Sequence, residues 1–358
     1  MRLADQLPAG SWAMAMGCGI VSIDLFLDGW LAPSDVLLWL AVAVWLVLAV
    51  RCATAPACAV REASSPPALG SIAATAVLGA RFSFGLAWVG AAFLALAALG
   101  LAVLLWPVIL HWTTPTAGTS FLVSVAIQGV AALSATLAVS YRADWLLYSA
   151  LALFLVGLAA YAMTVWRFDF RLVGTGAGDQ WVAGGALAIG TLAAGKIAAA
   201  AAALDAFDGL GAFGSFGSFG GGAGGGPGSG GGAGGTGGGG AGGAWPGVLD
   251  DLALALWCAA VAWLIPLVIS ELIRPRLSYH VLRWATVFPV GMYAACSFAV
   301  GQVTGLQGIT DFARIWTPIA VAVTLIVLIG LTRRVLDGRS QAPVDGQRQA
   351  VNDQEGRS

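Results

Sequence analysis

Apolar stretches long enough to cross the ~30 Å hydrocarbon core of a bilayer recur ten times along this chain. They lie at 10–27, 34–52, 69–85, 86–110, 118–139, 144–166, 180–204, 248–273, 279–304 and 312–334. A backbone in lipid has no water to bond to, so each stretch is expected to form a helix, which satisfies its own N–H and C=O groups. Composition agrees: 59% of residues are hydrophobic and 10% are charged, whereas soluble domains carry about 25% charged residues. The predicted fold is an all-α polytopic membrane protein with ten transmembrane helices in residues 1–338. The glycine-rich run 205–247 buries too little surface to fold and is expected to be a disordered external loop. The polar segment 339–358 is expected to be a disordered cytoplasmic tail.

Charge placement sets the orientation. With ten spans and a cytoplasmic N-terminus, 13 of the 17 basic residues fall on the inside, among them Arg51, Arg61, Arg274, Arg276, Arg333 and Arg334. Arg81, Arg142, Lys196 and Arg314 remain outside or at outer span ends. The outer loops hold Asp28, Asp35, Asp144, Asp205, Asp208, Asp250, Asp251 and Asp311. Removing or adding one span scatters this bias, so the positive-inside rule puts both termini in the cytoplasm. The first span is expected to stay in the membrane rather than be cleaved as a secretory signal, since Asp5 offsets Arg2 and no Ala-x-Ala site follows it.

Several function classes drop out. A net charge of −1 with no basic stripe gives no footprint for nucleic acid. The cysteines at 18, 52, 58, 258 and 296 fit no zinc spacing and read as free thiols packed as small hydrophobes. No His-Glu-x-x-His motif is present, and no aspartate-rich magnesium motif faces the cytoplasm. No cofactor or metal is expected. A membrane-embedded enzyme, or a sensor or scaffold, is the alternative to transport.

Odd and even spans differ. Gly, Ser and Thr occupy 26 of 92 central positions in the odd spans but 9 of 95 in the even ones, which are rich in Leu, Val and Trp. Small residues let helices approach closely, and hydroxyls tolerate a wet surface. The economical arrangement is five helical hairpins with odd helices inside and even helices facing lipid. Close packing alone also enriches small residues, so a pore does not follow from this count.

Interior polar groups sharpen the pattern. Asp24, Arg81 and Lys196 lie on odd spans, in their outer halves, and a charge facing lipid costs at least about 2.5 kcal/mol. They are expected around a water-filled anion vestibule or paired with one another. Asp24 is a partner for Arg81 or a proton acceptor, and snorkelling to the interface competes for Lys196. Gln128 on the fifth span adds an interior amide, for which an interhelical hydrogen bond is the plainer role. On the ninth span Pro289 removes an N–H and is expected to bend the helix, which aims the ring of Phe288.

The segments "AMGCGIVSI", "AVLGARF", "QWVAGGALAIGTLAAG" and "WATVFPVGMYAA", in spans one, three, seven and nine, resemble the tellurite-resistance/dicarboxylate transporter family. That family includes malate permeases and the slow-type anion channels. The resemblance spans roughly residues 8–336 and implies quasi-fivefold symmetry, odd helices lining a central pore, and a homotrimer in the plasma membrane. It implies a small-anion substrate, either a C4-dicarboxylate such as malate or an inorganic anion. It also implies that Phe288, beside Pro289, plugs the pore, where the residues alone favour packing in a helix interface. The glycine-rich insertion departs from the family, and the short termini argue against kinase-controlled gating.

Overall fold

The computed structural model describes residues 9–111, 118–171, 173, 180–204, 244–273 and 283–355, with the side chains of 9, 58, 244–246, 335 and 337–355 excepted. The described residues form eleven α-helices and no strand. Ten of them are α1 Trp12–Leu27, α2 Leu31–Thr54, α3 Gly70–Ser83, α4 Ala87–Leu110, α5 Leu122–Tyr141, α6 Asp144–Arg167, α7 Trp181–Leu204, α8 Ala244–Ile273, α9 Trp284–Thr304 and α10 Gln307–Glu355. The eleventh, Pro56–Glu62, links α2 to α3. The expected glycine-rich loop falls outside the described residues as far as 243.

Eight helices are long and apolar enough to cross a membrane: α2 and α4 through α10. Helix α1 has 16 residues and α3 has 14, about 24 and 21 Å of rise. Each is preceded by a tighter 3₁₀ segment, Ala9–Ser11 and Pro66–Leu69, which adds roughly 2 Å per residue. Helix α10 runs past Gly338 to Glu355, where the polar composition leads one to expect no fixed structure. Nothing in that segment explains the extension, since Pro343 and Gly346 both disfavour helix.

Short turns join α1 to α2, α3 to α4, α5 to α6 and α9 to α10. Three of these use a left-handed residue to end the odd helix or turn the chain: Gly29 at φ 89°, Arg142 at φ 49° and Gly305 at φ 67°. A left-handed residue just past a helix satisfies its last carbonyls, as the N–H of Arg142 does by bonding Val139 O.

Helix packing is cyclic. Each odd helix packs on the next odd helix, and α9 packs back on α1, so the five close into a ring. Each even helix lies against two odd ones, its own partner and the next around the ring: α2 on α1 and α3, α4 on α3 and α5, and so on to α10 on α9 and α1. Burial follows. Between 67% and 89% of the apolar core of α5, α7 and α9 is buried, against 17% to 33% for α2, α4, α6, α8 and α10. The outward faces carry exposed Trp39, Leu99, Val103, Trp145, Ile265 and Ile326, the surface expected against lipid.

Glycine sets the spacing of the ring at several close contacts. A Cβ at Gly185 of α7 would lie 2.8 Å from the Pro289 ring, and one at Gly17 of α1 would lie 2.8 Å from Val287. Much of the small-residue enrichment therefore serves close helix approach. Among the described residues no disulfide forms; Cys18 and Cys296 are buried, while Cys258 is exposed.

Candidate functional site

Along the odd helices, residues facing the ring interior recur every three or four positions, the period of one helix face. On α1 they are Ile20, Ile23 and Leu27; on α5, Gly129, Leu133 and Thr136; on α7, Ile189, Leu192 and Lys196; on α9, Met292, Ala295, Ala299 and Gln302. With Val77 and Ala80 of α3, and Phe84 just past its end, they line an open-mouthed cavity of about 60 Å³ at the end of the ring where the odd helices finish. A second cavity of about 50 Å³ lies where those helices begin, against Met16 of α1, Gly70 of α3, Leu122 of α5, Val182 of α7 and Phe288 of α9. All five odd helices wall both cavities, which puts both on the ring axis.

Among the described residues none lines both spaces. On α9 the last wall residue of the starting-end cavity is Phe288, and the first of the other is Met292, one turn on. On α9 the division between the cavities is that one turn, whereas on α5 and α7 it spans two, from Leu122 to Gly129 and from Val182 to Ile189. Phe288 is buried, 2% exposed.

Pro289 follows directly, yet α9 is helical throughout Trp284–Thr304. Its ring fits against Gly185, and the turn is held from outside by side chains of neighbouring helices. Trp316 Nε1 of α10 donates to Val290 O at 2.9 Å. Trp257 Nε1 of α8 donates to Ser297 Oγ at 2.8 Å, and that hydroxyl donates to Tyr293 O at 2.6 Å.

The polar residues expected on the pathway separate. Lys196 lies on the wall of the larger cavity. Among the described residues no hydrogen bond or ion pair engages its ammonium group.

Arg81 sits one position past the wall residue Ala80 and points into the seam between α1, α2 and α3. Its Nη2 donates to Asp35 Oδ1 at 2.9 Å and to Ser34 Oγ at 3.1 Å, and its Nε lies 3.2 Å from Ser22 Oγ. The guanidinium carbon stands 4.3 Å from the Phe26 ring centroid. Ser22 and Ser34 tie α1 to α2, each hydroxyl donating to the other's carbonyl at 2.8 and 2.6 Å.

The expected pairing of Asp24 with Arg81 is replaced by the Asp35 pair, for a geometric reason. Ser22 and Phe26 are four apart on one face of α1, whereas Asp24, two from each, points the other way. Asp24 is fully buried, and among the described residues neither carboxylate oxygen has a hydrogen-bond partner. One of them would lie 3.2 Å from a Cβ at Gly291.

Gln128, one position before the wall residue Gly129, is also off the axis. Its Nε2 donates to Phe154 O of α6 at 3.2 Å, and its amide fills the space left by Gly157. It acts as an interhelical hydrogen bond. Thr136, Met292 and Gln302 were not singled out from sequence as pathway residues. The three-and-four spacing that joins Phe288, Met292, Ala295, Ala299 and Gln302 is the feature that finds two of them.

Five helix pairs around an axial, mostly apolar cavity, cased in exposed aliphatic and aromatic side chains, define an integral membrane protein of helical-ring architecture. A family model described as voltage-dependent anion channel matches residues 6–332. The chain therefore belongs to that family, the tellurite-resistance/dicarboxylate transporter and slow-type anion channel family. It is a multi-pass membrane protein. The family consists of channels and transporters, and it supports anion transport as the general activity. No curated protein sequence matches the chain significantly.

Proposed function

We propose that this protein moves small anions across the plasma membrane along the ring axis, through a pore that Phe288 closes. The observation that carries this reading is the pair of axial cavities that stand apart along the ring, with Phe288 on the wall of one and Met292, one turn on, on the wall of the other. A phenyl ring at that level is a steric and hydrophobic barrier to a hydrated ion. Rotating it off the axis would join the two spaces. Pro289 supports the role because its ring, seated on Gly185, fixes the backbone from which Phe288 projects.

Lys196 supplies the positive charge on the route, since it lines the larger cavity and has no competing partner among the described residues. Arg81 instead clamps α1, α2 and α3, and acts on anions only through its field. Ten crossings with both termini cytoplasmic are supported by the 13 of 17 basic residues that then share one side. Assembly as a homotrimer rests on the resemblance alone. Family membership weighs against the alternative of an embedded enzyme or scaffold.

Both C4-dicarboxylates and inorganic anions are consistent with this pathway. Reconstitution into liposomes separates the mechanisms. Large ohmic anion current marks a channel, and saturable malate uptake driven by a pH gradient marks a carrier. Vesicles that pass neither at any gradient overturn the proposal.

A further inference from the structure

The larger axial cavity is polar at one end only. Its mouth carries Thr136, Lys196 and Gln302, while its deep wall is Ile20, Ile189 and Met292. The Thr136 hydroxyl is already donated to Ala132 O at 2.8 Å, which leaves the Lys196 ammonium and the Gln302 amide to receive a ligand. Among the described residues no carboxylate lines this space, and Lys196 is its one cationic wall residue. The carbonyl ends of the five odd helices also face this mouth and bring partial negative charge, so an anion held there depends on Lys196. From Lys196 down to Ile189 is seven residues of helix, ~10 Å.

A dicarboxylate long enough to reach the deep wall fits such a space poorly. One carboxylate reaches Lys196, and the second must lie among Ile and Met side chains, where an uncompensated charge is costly. We infer that this cavity is a binding site for a singly charged carboxylate with an apolar body, such as a medium-chain alkanoate. The head group lies on Lys196 and Gln302, and the chain points inward to Met292. The inference rests on the proposed function for the route the anion follows, and it names the class of anion that the route holds best.

The test is equilibrium binding to the full-length protein in nanodiscs, with acetate, butyrate, hexanoate and octanoate, and with suberate, the dicarboxylate of octanoate's length. Each added methylene should tighten the apparent Kd roughly threefold to fourfold until the cavity fills. Suberate should bind roughly tenfold or more weakly than octanoate. Lys196→Gln should weaken the alkanoates roughly tenfold, as expected for loss of a charged hydrogen bond, and leave octanol binding unchanged. Met292→Trp, which fills the deep end, should remove the gain with chain length. Equal affinity for suberate and octanoate overturns the inference. So does an unchanged chain-length series in Met292→Trp, which would mean partition into lipid, or an alkanoate affinity indifferent to Lys196→Gln. No current enters this measurement, so intact binding in a protein that passes no anion would sink the conduction reading and leave the site standing. Anion current without alkanoate binding would sink the site alone.

Discussion

Two glycines of α7 offer a matched test of the ring's packing beside Phe288. A methyl group added at Gly185 would lie 2.8, 2.9 and 3.1 Å from Cγ, Cβ and Cα of Pro289. Carbon pairs settle at about 3.5–4.0 Å, so the deficit is roughly 0.7 Å. A proline ring cannot rotate away, and its Cα moves only with the backbone, so α9 must shift from α7. Overpacking of this kind typically costs about 1–3 kcal/mol. At Gly190, five residues on in the same helix, the nearest atom is Gln128 Nε2 at 3.6 Å, an ordinary contact. Both substitutions gain the same helix propensity, about 1 kcal/mol, which cancels in the comparison. Gly185→Ala should therefore be less stable than Gly190→Ala by about 1–3 kcal/mol, read as melting temperature in one detergent. Because the shift moves the backbone that carries Phe288, liposome leak should rise in Gly185→Ala and stay at the wild-type level in Gly190→Ala. Equal melting temperatures for the two variants would refute the close α7–α9 seam.

Three further outcomes follow from the site. Arg81→Gln should destabilise more than Asp35→Asn, by about 1–3 kcal/mol for the buried partners it strands, because the Asp35 side chain is 59% exposed and recovers water. A double-mutant cycle read by melting temperature isolates the pair. Lys196→Gln should lower anion flux, and the loss should shrink at high ionic strength as salt screens the attraction; flux ratios at two salt concentrations check it. In a cysteine-free background, Ser64→Cys should label only from the cytoplasmic side and Ser229→Cys only from outside, and the reverse pattern would contradict the orientation.

Much of the architecture was legible in the spans. Their limits agree with the helices to within a few residues at most ends, since length and hydropathy are local properties. The contrast between odd and even helices was also legible, because lipid and helix interfaces select different side chains. What could not be read from composition was which way each polar residue points. Lys196 and Arg81 look alike as charges on odd spans, yet Lys196 continues the stripe Ile189, Leu192, whereas Arg81 falls one position off the stripe Val77, Ala80, Phe84. One position is about 100° of helix, enough to turn a side chain from the axis into a seam. Asp24 and Gln128 miss the stripes of α1 and α5 in the same way. The partner of Arg81, Asp35, is 46 residues away in the chain and becomes a neighbour only through the fold. The contact of Gly185 with Pro289 likewise depends on how α7 and α9 meet.

The measurement closest to the central claim is the basal anion conductance of Phe288→Ala in liposomes, taken with its melting temperature. Phe288 is 2% exposed, so removing its ring empties a buried site at a cost of about 3–5 kcal/mol, and the melting temperature should fall. If the ring separates the two axial cavities, conductance should rise well above wild type, with anion preference retained because Lys196 is untouched. A well-expressed Phe288→Ala protein that melts lower but conducts as the wild type does would contradict the account and leave Phe288 as a packing residue.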